Sequence, residues 1–125
     1  MYGNKKILVV DDSSTDLLRL KKVVSSTGYK VLTATSGYDA IRKAKSEKPS
    51  LIFMDIVMDE MDGYKACREI SRDPEIKNIP VVFVSSKHNR ADYIWAEKQG
   101  GKALISKPYS DEQIIQQIDA LVESL

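Results

Sequence analysis

Leu51-Ile52-Phe53-Met54-Asp55 is a run of four large apolar residues that stops abruptly on a carboxylate. A strand buried on both faces accounts for the run, because such strands carry no alternating polar side. Three more stretches share the form. Ile7-Leu8-Val9-Val10 ends in Asp11-Asp12, Val81-Val82-Phe83-Val84 ends in Ser85-Ser86, and Ala103-Leu104-Ile105-Ser106 ends in Lys107-Pro108. Parallel strands would bring these exits together on one rim, where open α/β sheets bind their ligands. That rim would hold the carboxylates of Asp11, Asp12 and Asp55, the hydroxyl of Ser85 and the ammonium of Lys107.

Working outward, strands are expected at Lys6–Val10, Lys30–Ala34, Leu51–Met54, Val81–Val84 and Ala103–Ser106. The second of these is the least apolar and suits an edge. Helix-period segments separate them. Ser13-Ser14-Thr15-Asp16 has the Ser-x-x-Asp form of a capping box and opens a helix with Leu17, Leu20 and Val24 on one face. Gly28 would end it as a left-handed cap. Ser36 or Gly37 starts the next helix, with Ala40, Ile41 and Ala44 inward and Pro49 just beyond its end. A third spans about Gly63 to Arg72, and a fourth runs from Arg90 to Gln99, before Gly100-Gly101. The last carries Ile114, Ile118, Leu121 and Leu125, flanked by Ile115 and Val122. Five such units imply a single doubly wound, five-stranded parallel α/β sheet in the order 2-1-3-4-5, a flavodoxin-like (βα)5 fold. Residues 1–125 read as one domain with no output domain.

Bulk properties narrow the function. Apolar residues are 42% of the 125 and charged residues 30%, a globular balance. A formal charge of +1 provides no basic field for nucleic acid. The single cysteine, Cys67, excludes an internal disulfide and suits a reducing compartment. No stretch approaches the roughly 20 apolar residues that span a bilayer, and the N-terminus is too polar for a signal peptide. A soluble cytoplasmic chain is expected, without membrane insertion.

The rim suggests metal-assisted phosphoryl chemistry. Two like charges 4 Å apart repel by about 4 kcal/mol at an effective dielectric of about 20, so clustered acids need a cation or raised pKa values. An all-oxygen set suits Mg2+, which binds through one or two carboxylates and keeps its waters. Mg2+ and Lys107 together balance three carboxylates. A phosphoryl group of about −2 on Asp55 would then leave only a modest excess, and carboxylates are an established class of nucleophile.

Val9-Val10-Asp11-Asp12-Ser13, Met54-Asp55-Ile56-Val57-Met58 with Met61-Asp62-Gly63, Ile79-Pro80-Val81 through Ser85-Ser86, and Ser106-Lys107-Pro108 together resemble the receiver domain of two-component response regulators, across the whole chain. The resemblance implies that a histidine kinase or histidine phosphotransfer domain phosphorylates Asp55. It implies that Asp12, Asp55 and the backbone carbonyl of Val57 hold Mg2+, with Asp11 acting through water. Lys107 would pair with the phosphoryl group, Ser85 would be the switch hydroxyl, and Lys107-Pro108 would be cis. Signalling would be by protein contact through the face of the fourth helix, fifth strand and fifth helix, not by turnover of a metabolite. Ser85-Ser86-Lys87, Tyr93-Ile94-Trp95 and Lys98-Gln99-Gly100 look like the stand-alone receivers of the twitching-motility, PilH-like branch. Two rivals are an unphosphorylated interaction module and a phosphate-sink receiver in a phosphorelay. A flavin carrier shares the topology, but Asp11-Asp12 would repel its phosphate.

Four positions depart from the usual pattern of the family: Asp59 where proline is common, Leu104 where an aromatic or histidine often switches, and Val57 and Lys87, which flank the site. Apolar Val57 is expected to fail to orient an attacking water and so to prolong the phosphoryl state. Ser13 and Asp16 read as capping residues, Cys67 as packed against the sheet, and His88 as an exposed loop residue. Tyr93, Ile94 and Trp95 cannot all face inward. At least one should be exposed, either partly packed on the adjacent helix or forming a partner surface.

Overall fold

The computed structural model describes residues 5–122. The elements alternate without exception: β1 Lys6–Val10, α1 Ser14–Ser25, β2 Lys30–Ala34, α2 Gly37–Glu47, β3 Leu51–Met54, α3 Gly63–Arg72, β4 Val81–Ser85, α4 Arg90–Lys98, β5 Ala103–Ser106 and α5 Asp111–Leu121. The sheet is wholly parallel, in the order β2-β1-β3-β4-β5. Four strands have the bounds expected from sequence. β4 runs one residue further because Ser85 still pairs with Ser106.

Alternation along each central strand divides the core in two. Leu8, Val10, Ile52, Met54 and Phe83 pack with Ala40, Ala44, Ala66, Cys67, Ile70 and Ala96, so α2, α3 and α4 cover one face. Ile7, Val9, Leu51, Phe53, Val82 and Val84 pack with Leu20, Val24, Ile114 and Ile118, so α1 and α5 cover the other. Fully buried rings such as Phe53 and Phe83 each contribute roughly 1.5–3 kcal/mol. Ile41, Leu17, Ile115 and Leu121 lie at the margins, partly buried. Leu125 lies outside the described residues.

Caps fix where the helices begin. Ser36 is the N-cap of α2, its Oγ accepting the Asp39 N–H at 3.0 Å, with Gly37 as the first helical residue. α1 stops at Ser25 with right-handed Ser26 as its cap. Gly28, at φ 92°, turns the chain two residues later and is not itself the cap. At Gly63 the backbone approach is extreme: a Cβ there would sit 2.1 Å from the Asp55 carbonyl oxygen. Only glycine allows α3 to start so close to the end of β3. The Gly63 N–H also donates to the Ile56 carbonyl at 2.7 Å.

Candidate functional site

Lys107 leaves the end of β5 and becomes the centre of the rim. Its Nζ donates to Asp11 Oδ2 at 2.8 Å, Asp16 Oδ2 at 2.9 Å and Asp55 Oδ2 at 3.0 Å. An ammonium has three N–H donors, and all three are used. Its backbone is tied as well, because Lys107 N–H donates to the Ser85 carbonyl at 2.9 Å. The Lys107–Pro108 peptide is cis, as the resemblance implied. Burial by itself would lower the pKa of this ammonium. The hydrogen bonds to Asp11, Asp16 and Asp55 outweigh it and hold the group above the usual lysine range.

Asp55 is almost enclosed, at 9% exposure. Its Oδ1 accepts the N–H of Ile56 at 2.7 Å and of Val57 at 3.3 Å, while Oδ2 faces Lys107. Asp11, 3% exposed, accepts the Ser13 N–H at 2.9 Å as well as Lys107. Burial raises its pKa, and the Lys107 and Ser13 hydrogen bonds offset only part of that. Ser85 is fully buried, and its Oγ accepts the Lys87 N–H at 3.2 Å.

One placement differs from the sequence reading. Asp16 is not a reciprocal capping residue. Ser13 Oγ does accept the Asp16 N–H, at 3.4 Å, but the Asp16 carboxylate reaches across to Lys107. Asp12, by contrast, is exposed and takes no part in the Lys107 cluster; its Oδ2 accepts the Asp59 N–H at 3.1 Å. A proline at position 59 has no N–H, so this departure provides Asp12 with a donor. The acids around the lysine are therefore Asp11, Asp16 and Asp55. Asp16 could have been noticed from sequence only by asking which first-turn acid of α1 faces the β5–α5 loop.

For a divalent ion the donor chemistry fits. Asp12, Asp55 and the Val57 carbonyl are all oxygens, two of them charged, as a hard cation requires. Among the described residues, no group of three acidic, histidine or cysteine side chains is gathered closely enough to hold an ion alone. An ion there would draw on the backbone carbonyl and on waters, the habit of Mg2+.

Other sequence expectations are resolved. Cys67 is buried against the sheet, its thiol donating to the Gln99 carbonyl at 3.2 Å, and burial pushes its pKa up to about 11. His88 is exposed. Tyr93, Ile94 and Trp95 are all about half exposed, at 47%, 52% and 48%. Leu104 is buried beneath α4. No helix among the described residues is long and apolar enough to cross a membrane.

Residues 7–119 match the response regulator receiver domain. The chain is 36% identical to Protein PilH of Pseudomonas aeruginosa over 94% of its own length and 97% of that protein. It is 35% identical to Chemotaxis protein CheY of Thermotoga maritima, covering 92% of this chain and 95% of that one. The signal receiver domain of a histidine kinase from Syntrophus aciditrophicus superposes with a TM-score of 0.86 at 31% identity, covering 94% and 89% of the two chains. Receivers of this kind are signalling modules and not conventional enzymes. Aspartate phosphorylation is their common property, they generally use Mg2+ for it, and they meet histidine kinases and downstream targets. By sequence match and by fold, the chain belongs to the family of response regulator receiver domains.

Proposed function

We propose that this chain is a stand-alone response regulator that accepts a phosphoryl group on Asp55 and signals by changing its protein contacts. The observation that carries the reading is the Lys107 ammonium 3.0 Å from Asp55 Oδ2, with Oδ1 held by the Ile56 and Val57 amides. These contacts aim the carboxylate, and Lys107 places positive charge where phosphoryl oxygens arrive. An oxygen lone pair of Asp55 forms the new P–O bond. The bond from phosphorus to the donor's imidazole nitrogen breaks and its electron pair stays on that nitrogen; the ring's other nitrogen already carries a proton, so the donor leaves as neutral imidazole. The chain's own residues catalyse this transfer and the later hydrolysis, and membership of the receiver family makes the physiological donor a histidine kinase or a histidine phosphotransfer domain. Asp12, Asp55 and the Val57 carbonyl would hold Mg2+, with Asp11 acting through water. When bound, the ion supplies charge neutralisation for the phosphoryl oxygens.

Output is assigned to the face of α4, β5 and α5, where Tyr93, Ile94 and Trp95 stand exposed, with Ser85 as the hydroxyl that responds to the phosphoryl group. The resemblance to PilH over nearly its whole length supports a cytoplasmic role in chemotaxis-type control of twitching by type IV pili. Restoration of twitching in a Pseudomonas aeruginosa strain lacking PilH tests that pathway. The chemistry is tested by mass spectrometry after incubation with acetyl phosphate and Mg2+. The expected result is an adduct of about 80 Da, the mass of HPO3, that is absent in Asp55→Asn. An unmodified wild-type chain, or an adduct that survives the substitution, overturns the assignment.

A further inference from the structure

Asp16 and Arg19 lie one turn apart on α1, and both reach the loop that follows β5. Asp16 takes a hydrogen bond from Lys107 Nζ at 2.9 Å. Arg19 donates to the Tyr109 carbonyl at 3.3 Å and stacks over the Tyr109 ring at 5.2 Å. With Pro108 these residues line an open cavity of about 300 Å³ beside the lysine. α1 thus grips the loop that carries the phosphate-pairing ammonium, and Asp16 is the part of that grip that touches the charge.

The three acids on Lys107 are not equivalent. Asp11 is enclosed, its side chain 3% exposed, and is also tied to the Ser13 amide. Asp55 is the acceptor itself. The Asp16 side chain is 45% exposed, so water can replace the lysine there at little cost. A phosphoryl group on Asp55 presents three acceptor oxygens and a charge of about −2. The ammonium already uses all its donors, so it can meet more than one of those oxygens only by leaving a carboxylate. The solvated one yields most easily. Until it does, Asp16 pulls Lys107 toward α1 and adds a negative charge that repels an incoming phosphodonor.

We propose that Asp16 is a positioning residue that holds Lys107 in the unphosphorylated state and opposes phosphoryl transfer to Asp55 until it releases the ammonium. This inference rests on the function proposed above. It makes α1 a brake on the site as well as a support for it. The fold of α1 does not depend on the carboxylate, because its N-cap bond runs from the Asp16 backbone amide to Ser13.

The test compares wild type with Asp16→Ala, Asp16→Asn and Asp16→Glu. Asp55 phosphorylation by acetyl phosphate should be about three- to fivefold faster in Asp16→Ala and Asp16→Asn, the scale of one half-exposed ion pair. Asp16→Glu should restore the slow rate. Independently of phosphorylation, acetylation of Lys107 by acetic anhydride, followed by peptide mass spectrometry, should speed up in the Ala and Asn variants and not in Glu. Unchanged Lys107 acetylation overturns the proposal, since the lysine would not be held by Asp16. So does faster acetylation with unchanged or slower phosphorylation, since the contact would then not oppose transfer. A wild-type chain that takes up no phosphoryl group fails the assigned function instead, and Lys107 acetylation still decides whether Asp16 holds the ammonium.

Discussion

Val57 donates its amide to Asp55 Oδ1 and turns its own side chain outward, 61% exposed. An isopropyl group beside the reacting carboxylate can neither donate to nor accept from a water. Val57→Asn is therefore expected to shorten the life of the phosphoryl group roughly 3- to 10-fold, well short of the ~100-fold of a true general base. Following adduct loss by mass spectrometry after removal of acetyl phosphate measures this. Equal or slower loss in the variant would show that the side chain does not govern hydrolysis. At this scale the sequence was partly transparent. Asp11, Asp55, Ser85 and Lys107 could be picked out because each stands where an apolar run ends. Asp16 could not, because its spacing from Ser13 already had a sufficient local explanation in capping. Its carboxylate finds Lys107 across 91 residues, a separation that no local pattern reports.

The element that links Ser85 to the exposed aromatic surface is α4. Asp92, in its first turn, is 5% exposed and completes a capping box with Asn89. Its Oδ1 also accepts the Tyr64 hydroxyl at 3.4 Å and lies 3.8 Å from the Lys87 ammonium, while the Lys87 amide holds Ser85 Oγ. A shift of the Ser85 hydroxyl would therefore move Lys87 and, with it, the start of α4. Buried, apolar Leu104 has no polar tip to report such a change, which makes the Asp92 contacts the ones to test. Asp92→Ala should lower stability by about 1–2 kcal/mol in urea melts, the scale of removing a buried acceptor from the Asn89 amide and the Tyr64 hydroxyl. It should also blunt the fluorescence response of Trp95, the one tryptophan, to beryllofluoride with Mg2+. An undiminished response would mean that α4 is driven by another route. The elements themselves were legible almost to the residue, since strands buried on both faces leave unbroken apolar runs with turn residues at their ends. Asp92 was not, because an acid in a first turn is ordinarily solvated.

Across the whole molecule, the chemistry sits on the rim and the stability sits in two apolar layers below it. Cys67 belongs to the α3 side of those layers, and its thiol, normally near 9.0, is pushed by burial to about 11. A group whose pKa rises on folding stabilises the native state below its unfolded value and loses that contribution as pH climbs through the folded one. Stability should therefore fall between pH 9 and 11, by roughly 2–3 kcal/mol from this group. Cys67→Ala should flatten that alkaline limb in denaturant titrations, and a limb of unchanged slope would assign the loss elsewhere. The strand order was readable because five alternating units leave few topologies open. That Asp16 would join Asp11 and Asp55 on Lys107 was not, since that depends on how α1 lies beside the loop after β5. The glycine beneath Asp55 has one more consequence. With α3 seated against the peptide that bears the acceptor, that half of the rim behaves as an anvil. A methyl group at position 63 would pry the two apart, since its carbon would fall 2.1 Å from the Asp55 carbonyl oxygen, so the seat of the acceptor tolerates nothing wider than glycine.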